Sequence, residues 1–150
     1  MRTLVVLPTY NEILNVERML RTLRSVVPES SILVVDDGSP DGTADAASAV
    51  ARELGAIEIL RRSEKNGLGG AYRAGFAWGI DQGFDHFVEI DCDFSHDPEA
   101  LPSLLVAAER HDVVIATPAI AAGLSVEIRD HFYAVFAFSG GTTDPAAVAQ

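Results

Sequence analysis

The sequence contains few of the residues that mark disulfide-rich, fibrous or membrane-spanning chains. Among 150 residues there is one cysteine, Cys92, which excludes an internal disulfide and a cysteine-based zinc site and agrees with a reducing compartment. Twelve glycines and seven prolines are too few for a collagen-like or low-complexity chain. No apolar run approaches the ~20 residues needed to cross a bilayer, and the N-terminal apolar run is too short for a signal peptide. We therefore expect a cytoplasmic chain that folds around a core.

Basic residues are also scarce: 11 Lys and Arg stand against 22 Asp and Glu, for a net charge of −11 and a pI near 4.6. Lys65 is the only lysine. This balance disfavours broad nucleic-acid binding, which needs a basic face for phosphate contacts. An acidic protein can still admit a phosphorylated ligand through helix N-termini, a few arginines, or a divalent cation placed between its carboxylates and the phosphates.

Apolar runs alternate with helical patterns along the chain. The runs predict strands at 3–7, 31–35, 57–60, 86–90 and 113–116, and the spacing of apolar residues predicts helices at 13–27, between 43 and 54, at 69–82 and at 101–110. Strands that are apolar throughout, each followed by a helix, indicate a parallel sheet covered on both faces. The expected fold is α/β, with a doubly wound, mostly parallel sheet. Ligands bind such sheets beyond the carboxyl ends of the strands, so the loops after the first four strands form the candidate site.

Two aspartates follow the fourth predicted strand. Asp91 and Asp93 are two positions apart, so in an extended chain both carboxylates point the same way and can hold one divalent ion. Mg²⁺ or Mn²⁺ suits such an oxygen-rich pair and keeps positions open for diphosphate oxygens. The alternative is that they are solvated turn carboxylates, because a short Asp-x-Asp pattern recurs by accident.

Asp36 and Asp37 close the second predicted strand. They can accept hydrogen bonds from a base N–H or from ribose hydroxyls, as an acid at this position does in dinucleotide folds. The alternative is turn chemistry and capping before the second helix, a role that also fits Asp41.

A glycine-rich segment precedes the third helix. Gly67, Gly69 and Gly70 do not form a dinucleotide fingerprint, because Tyr72 stands where the third glycine belongs and the segment follows the third strand rather than the first. With Lys65 beside it, the segment can let a ligand approach the backbone closely, although a plain loop and helix start fits equally well.

The sequence Ser95-His96-Asp97 contains the residue types of a hydrolase triad. Consecutive residues rarely converge in that geometry, so His96 is expected to border the metal site or to be a solvated loop residue. Asp97, followed by a proline, is expected to be a helix N-cap.

Four segments taken together resemble the family 2 glycosyltransferases of the GT-A fold: residues 5–12, 34–43, 67–72 and 89–98. Within that family the chain is similar to the polyprenol-phosphate (dolichol-phosphate) mannose synthases. The four segments occur in the right order, each in a predicted loop after a strand, and the resemblance covers residues 3 to about 116.

The resemblance implies roles for individual residues. Pro8, Tyr10 and Glu12 would border the nucleotide pocket, Asp37 would contact the base, and Asp91 with Asp93 would be the catalytic pair holding Mg²⁺ or Mn²⁺ on the diphosphate. Ser95 falls where relatives often carry a glutamine that assists the metal. The remaining substrate-binding positions would be Asp36, Lys65, Gly67, Gly69 and Cys92.

The same resemblance implies the reaction. The donor would be GDP-mannose and the acceptor a polyprenyl monophosphate at the cytoplasmic membrane face, in a metal-dependent, inverting transfer; a membrane-anchoring partner fits this picture. No nucleic-acid partner is expected.

The chain departs from the family pattern after about residue 116. We therefore expect a GT-A nucleotide-sugar-binding domain at 1–116 and a divergent tail at 117–150, in which 131–138 could form a strand or a short buried helix. A truncated or frame-shifted homologue would give this pattern. The alternative function is a catalytically incomplete sugar-nucleotide-binding fragment, or a remnant lacking the acceptor half. A nucleotidyltransferase is disfavoured, because residues 8–12 contain neither a glycine nor a base.

Overall fold

The computed structural model describes residues 2–63, 67–109, 113–116 and 134–137. Strands and helices alternate through most of this range. The strands are β1 Thr3–Thr9, β2 Ser31–Asp36, β3 Ile57–Arg61, β4 His86–Glu89, β5 Val113–Ala116 and β6 Ala134–Ala137. The helices are α1 Val16–Val26, α2 Thr43–Leu54, α3 Leu68–Asp81 and α4 Leu101–Ala108, the last preceded by a 3-10 turn at Pro98–Ala100.

The strands form one parallel sheet in the order β3-β2-β1-β4-β6-β5. Helices α1, α2 and α4 pack on one face and α3 on the other. The predicted α/β, doubly wound architecture is confirmed. Helix α1 begins at Val16 rather than at residue 13, because the preceding residues form a turn in which the Asn15 N–H donates to the Glu12 carbonyl at 3.0 Å.

Alternate residues of the central strand build two cores. Val5 and Leu7 face α1, α2 and α4, whereas Leu4 and Val6 pack toward Tyr72 of α3. These four β1 side chains are completely buried. Since neighbouring side chains of a strand point to opposite faces, two covered faces require an unbroken apolar run.

Helix α3 packs unusually close to the sheet through two glycines. A Cβ at Gly75 would collide with Val6, and a Cβ at Gly79 would collide with Leu4 and Phe87. Only a residue without a side chain fits at this separation. The close packing brings the first turns of α3 near the carboxyl ends of β1 and β4.

A crevice opens where β1 and β4 part. Their pairing ends at Val6 and Glu89, whereas β1 continues beside β2 as far as Thr9 and Asp36. The prediction ended β1 before Pro8, but Pro8 lies inside the strand, where its missing N–H removes one donor from the ladder. The sheet reverses its strand order here, because the chain moves outward from β1 in both directions, and such a point is the usual ligand site.

The tail contributes one described strand. Residues 134–137 form β6, which lies between β4 and β5, so the strand alternative is the observed one for these four residues of the predicted segment 131–138. Most of the predicted tail, residues 117–133 and 138–150, lies outside the described residues, as do Lys65 and the predicted helix end at residue 110. Within the described ranges, no helix is both long and apolar enough to span a bilayer.

Candidate active site

A cavity of about 230 Å³ lies at the carboxyl edge of the sheet, at the crevice between β1 and β4. Loops that are far apart in the chain meet there. Eight of the predicted site residues line it: Pro8, Tyr10, Glu12, Asp37, Gly67, Asp91, Cys92 and Asp93. Thr9, Leu68 and Ala71 line it as well and were not predicted.

One oxygen of the Asp91 carboxylate accepts a hydrogen bond, and the other lies near His96. Its Oδ1 accepts a hydrogen bond from the Tyr72 hydroxyl at 2.9 Å, and its Oδ2 lies 3.9 Å from His96 Nδ1. His96 is buried and also accepts a long, 3.4 Å hydrogen bond from the Asp91 N–H. Burial, followed by the charge of Asp91, raises the pKa of Tyr72 well above its ordinary value, so its hydroxyl keeps its proton and donates.

Asp93 reaches the same cavity by a turn. The prediction assumed an extended chain from Asp91 to Asp93, but Cys92 and Asp93 lie in a turn that continues through Phe94 at φ +60°. The two carboxylates therefore share the cavity because the chain folds back, and the strand-alternation argument for them was wrong.

Ser95 supports Asp93 rather than lining the cavity. Its N–H donates to Asp93 Oδ1 at 2.9 Å, and hydrogen bonds from its hydroxyl and its backbone lower the pKa of Asp93. These hydrogen bonds stabilise the ionised form of Asp93. Asp97, two residues later, accepts from the Glu99 N–H at 3.0 Å ahead of Pro98, so the predicted N-cap is confirmed.

The donor set suits a hard divalent cation. Asp91 and Asp93 offer carboxylate oxygens, the ligands that Mg²⁺ and Mn²⁺ prefer. Over the ranges that the structure describes, no group of three or more His, Cys, Asp or Glu residues forms a complete metal cage. Two carboxylates alone leave most coordination positions to other ligands, which fits a cation completed by the oxygens of a diphosphate.

Asp36 and Asp37 have different positions. Asp36 is 2% exposed and does not line the cavity; its carboxylate accepts hydrogen bonds from Thr9 Oγ1 at 2.9 Å and from the hydroxyl and N–H of Ser39 at 2.6 and 2.9 Å. The expectation that Asp36 binds a ligand is therefore corrected to a structural role, holding the β1 and β2 loops together. Asp37 lines the cavity, and its carboxylate is paired with the guanidinium of Arg62.

Arg62 was missed by the sequence analysis. It lies just after β3, where its side chain, 18% exposed, meets an Asp37 side chain that is 6% exposed. The available signal was the pair Arg61-Arg62 at the end of a strand in a chain with few bases. Gly69, which was predicted to bind substrate, lies in α3 away from the cavity wall.

Glu12 is fixed by the start of α2. Its N–H donates to Thr43 Oγ1 at 2.9 Å, and the Thr43 hydroxyl donates to Asp41 at 2.6 Å. Asp41 also accepts from the Thr43 and Ile13 N–H groups at 3.0 and 3.2 Å, and the Thr43 hydroxyl is the main cause that lowers its pKa. The predicted capping residue thus also ties the β1 loop to α2.

Two buried groups lie behind the carboxylates. Burial, with a smaller effect of nearby carboxylates, raises the pKa of the Cys92 thiol to about 12, so Cys92 forms a neutral part of the wall rather than a nucleophile. Burial and the charge of Asp91 raise the pKa of Glu89 to about 8. Glu89 was not singled out by the sequence analysis as a residue near the site, although a glutamate inside an otherwise apolar strand is an unusual feature that could have drawn attention to it.

Comparisons with known proteins place the chain in a family. Residues 4–138 match the model of glycosyl transferase family 2. The chain belongs to this family. Its sequence is 51% identical over 126 residues to an undecaprenyl-phosphate mannosyltransferase of Micrococcus luteus, covering 84% of this chain and 52% of that protein. It is 46% identical over 109 residues to a polyprenol monophosphomannose synthase of Mycolicibacterium smegmatis, covering 72% of this chain and 41% of that protein.

Two solved structures share the fold. A mannosyltransferase of Pyrobaculum calidifontis, solved in complex with GDP-Man and Mn²⁺, superposes with a TM-score of 0.66 at 21% identity, over 77% of this chain and 35% of that one. TarS of S. aureus, solved with UDP, gives a TM-score of 0.63 at 20% identity, over 85% of this chain and 38% of that one. The family 2 chain described here spans about half the length, or less, of the curated relatives above.

Proposed function

We propose that this family 2 chain carries the donor-binding site of a metal-dependent, inverting mannosyltransferase that uses GDP-mannose and a polyprenyl monophosphate. The observation that carries the proposal is the meeting of Asp91 and Asp93 with Pro8, Tyr10 and Asp37 around one cavity at the sheet's switch point. The names of the two curated relatives, both enzymes of polyprenyl-phosphate mannose transfer, support the choice of substrates.

Each part of the donor has a matching group in the cavity. Asp37, which forms an ion pair with Arg62, is proposed to accept hydrogen bonds from the guanine base. The first turn of α3 lines the cavity through Gly67 and Leu68, and the N–H groups of a helix start favour phosphate oxygens. Gly67 has φ +76°, a conformation that other residues rarely adopt.

Asp91 and Asp93 would hold Mg²⁺ or Mn²⁺. When bound, such a cation would neutralise diphosphate charge that the acidic surroundings otherwise repel, and would stabilise the departing GDP. The hydrogen bonds from Ser95 stabilise the ionised form of Asp93, which is the form that binds a cation. Cys92, neutral and buried between the two aspartates, adds no competing charge.

The reaction needs no strong protein base. A phosphate monoester is already anionic at pH 7, so an oxygen of the acceptor phosphate can form the bond to C1 of mannose while the bond from C1 to the GDP oxygen breaks. Attack from the side opposite to GDP inverts the anomeric centre. Because the acceptor is a membrane lipid, we place this transfer at the cytoplasmic membrane face, where an anchoring partner would also fit.

Calorimetry of GDP-mannose tests the proposal. We expect binding in the presence of Mn²⁺ that weakens strongly when EDTA is added. Asp93→Ala should lose the Mn²⁺-dependent part with little change in stability, since exposed loop carboxylates contribute little to it. Asp97→Ala is the matched control, because this carboxylate lies in the same loop but caps the turn before α4. Mn²⁺-dependent affinity that is unchanged in Asp93→Ala would refute the metal assignment.

A second candidate function is donor binding without transfer. It is favoured by the chain spanning 52% of the undecaprenyl-phosphate mannosyltransferase that it matches. The two candidates separate when mannose transfer to a short polyprenyl phosphate is measured: product formation supports the enzyme, and binding without product supports the sugar-nucleotide-binding module.

A further inference from the structure

Tyr72 connects the core beneath α3 to the candidate metal site. Its ring is 9% exposed and packs in the core cluster formed by β1, β2 and α3. The ring of Phe76 stacks on the ring of Tyr72, with centroids 6.2 Å apart, and Phe76 in turn packs edge-on against Phe87 of β4. Only the hydroxyl of Tyr72 reaches polar surroundings, where it donates to Asp91 Oδ1 at 2.9 Å.

This hydrogen bond distinguishes the two oxygens of Asp91. Oδ1 accepts the hydrogen bond from the Tyr72 hydroxyl, whereas Oδ2 lies 3.9 Å from His96 Nδ1, beyond hydrogen-bond distance. A carboxylate with one oxygen engaged by a rigid donor is restricted in its rotation. Tyr72 is itself a member of the buried core cluster, so the donor that restricts Asp91 is part of the core.

We propose that Tyr72 is a positioning residue, which orients Asp91 so that Oδ2 is presented to the divalent cation. The proposal rests on the metal site proposed above. Helix α3 would then contribute to the site in two ways: its first residues line the cavity, and its Tyr72 orients a metal ligand. Groups that orient a metal ligand from behind typically change metal affinity by 10- to 100-fold when they are removed.

The Tyr72→Phe variant isolates the hydroxyl. It keeps the buried ring and its stacking, so the fold should remain, while Asp91 loses its donor. We expect affinity for Mn²⁺, measured by electron paramagnetic resonance at saturating GDP, to fall about tenfold. The spectrum of the remaining bound Mn²⁺ should also broaden or shift, because a freely rotating Asp91 changes the coordination of the ion.

Two control variants give the experiment its contrast. Asp91→Asn should abolish Mn²⁺ binding, since it removes the charged ligand itself. Phe76→Leu disturbs the same aromatic cluster without contacting Asp91, so it should lower the thermal midpoint but leave Mn²⁺ affinity unchanged. A merely structural Tyr72 would show the Phe76→Leu pattern.

The possible results separate the two proposals. If Asp91→Asn loses Mn²⁺ and Tyr72→Phe binds it like the unchanged protein, the positioning role is wrong and the metal site stands. If Tyr72→Phe and Phe76→Leu weaken Mn²⁺ binding equally, the effect is one of packing and the positioning role is again overturned. If Asp91→Asn binds Mn²⁺ normally, the metal site fails, and the role of Tyr72 with it.

Discussion

Replacing Gly75 with alanine tests how closely α3 must approach the sheet. An added Cβ would lie 2.5 Å from Val6 Cγ1 and 3.2 Å from Val35 Cγ2. Both valines are completely buried on neighbouring central strands, and β-branched side chains have little freedom to rotate away. The helix must therefore move outward or the valines must leave their preferred rotamers.

The size of the effect follows from two opposing contributions. Alanine in place of glycine stabilises a helix interior by about 1 kcal/mol. Overpacking a filled core costs about 1–3 kcal/mol, and contacts of 2.5 Å with Val6 and 3.2 Å with Val35 place this substitution at the upper end. We expect Gly75→Ala to lower the free energy of unfolding by about 2 kcal/mol.

Gly69 provides the matched control in the same helix. A Cβ there meets nothing within 4 Å, so Gly69→Ala should be neutral or should stabilise the protein by up to about 1 kcal/mol. Urea unfolding, followed by far-UV circular dichroism at fixed pH, measures both variants. Equal stabilities for Gly75→Ala and Gly69→Ala would show that α3 has room to spare, and the packing argument would then be wrong.

Two further predictions concern the surroundings of the candidate site. Arg62→Met should lower the free energy of unfolding by about 2 kcal/mol, less than the roughly 3–5 kcal/mol of a fully buried pair, because it leaves the buried Asp37 carboxylate without its guanidinium. Arg61→Met breaks the exposed pair with Asp45 and should change the free energy of unfolding by less than about 0.5 kcal/mol in the same urea titrations. Similar losses in the two variants would contradict the importance of the Arg62–Asp37 pair. The pKa of Glu89 rises from 4.5 to about 8 on folding, so the folded protein keeps a proton that the unfolded chain has lost, and stability should fall as the pH rises through that window. The free energy of unfolding should fall by at most about 1.4 kcal/mol per pH unit, and Glu89→Gln should remove this slope in urea titrations at pH 6 and pH 8 with EDTA. Equal slopes in the unchanged protein and in Glu89→Gln would count against a raised pKa of Glu89.

The sheet was predictable because both of its faces are covered. Strands such as β1 and β2 must then be apolar at every position, and that run is visible without any knowledge of partners. The position of β6 was not predictable. Its place between β4 and β5 depends on which strands pair across the sheet, and a four-residue segment carries no signal for that.

The candidate site was predictable in position more than in detail. Loops at the carboxyl ends of parallel strands must meet, which brought Asp37 and Asp91 to one cavity. Adjacent aspartates cannot be told apart from composition, because the direction of each depends on the register: Asp36 points into the protein and Asp37 to the cavity. The contact of Tyr72 with Asp91 joins a helix to a distant loop, and no local pattern encodes it.

The place of β6 bears on the order in which the sheet assembles. Within the described residues β5 pairs with β6 alone, and β6 joins β4 through pairs such as Phe87 with Ala134, which are 47 positions apart in the chain. Although β5 precedes β6 in the chain, among the described residues it has no strand to pair with until β6 has docked. Closing so long a loop is slow compared with forming the local β-α-β units, so this border of the protein is expected to be the last to acquire protection from hydrogen exchange during refolding.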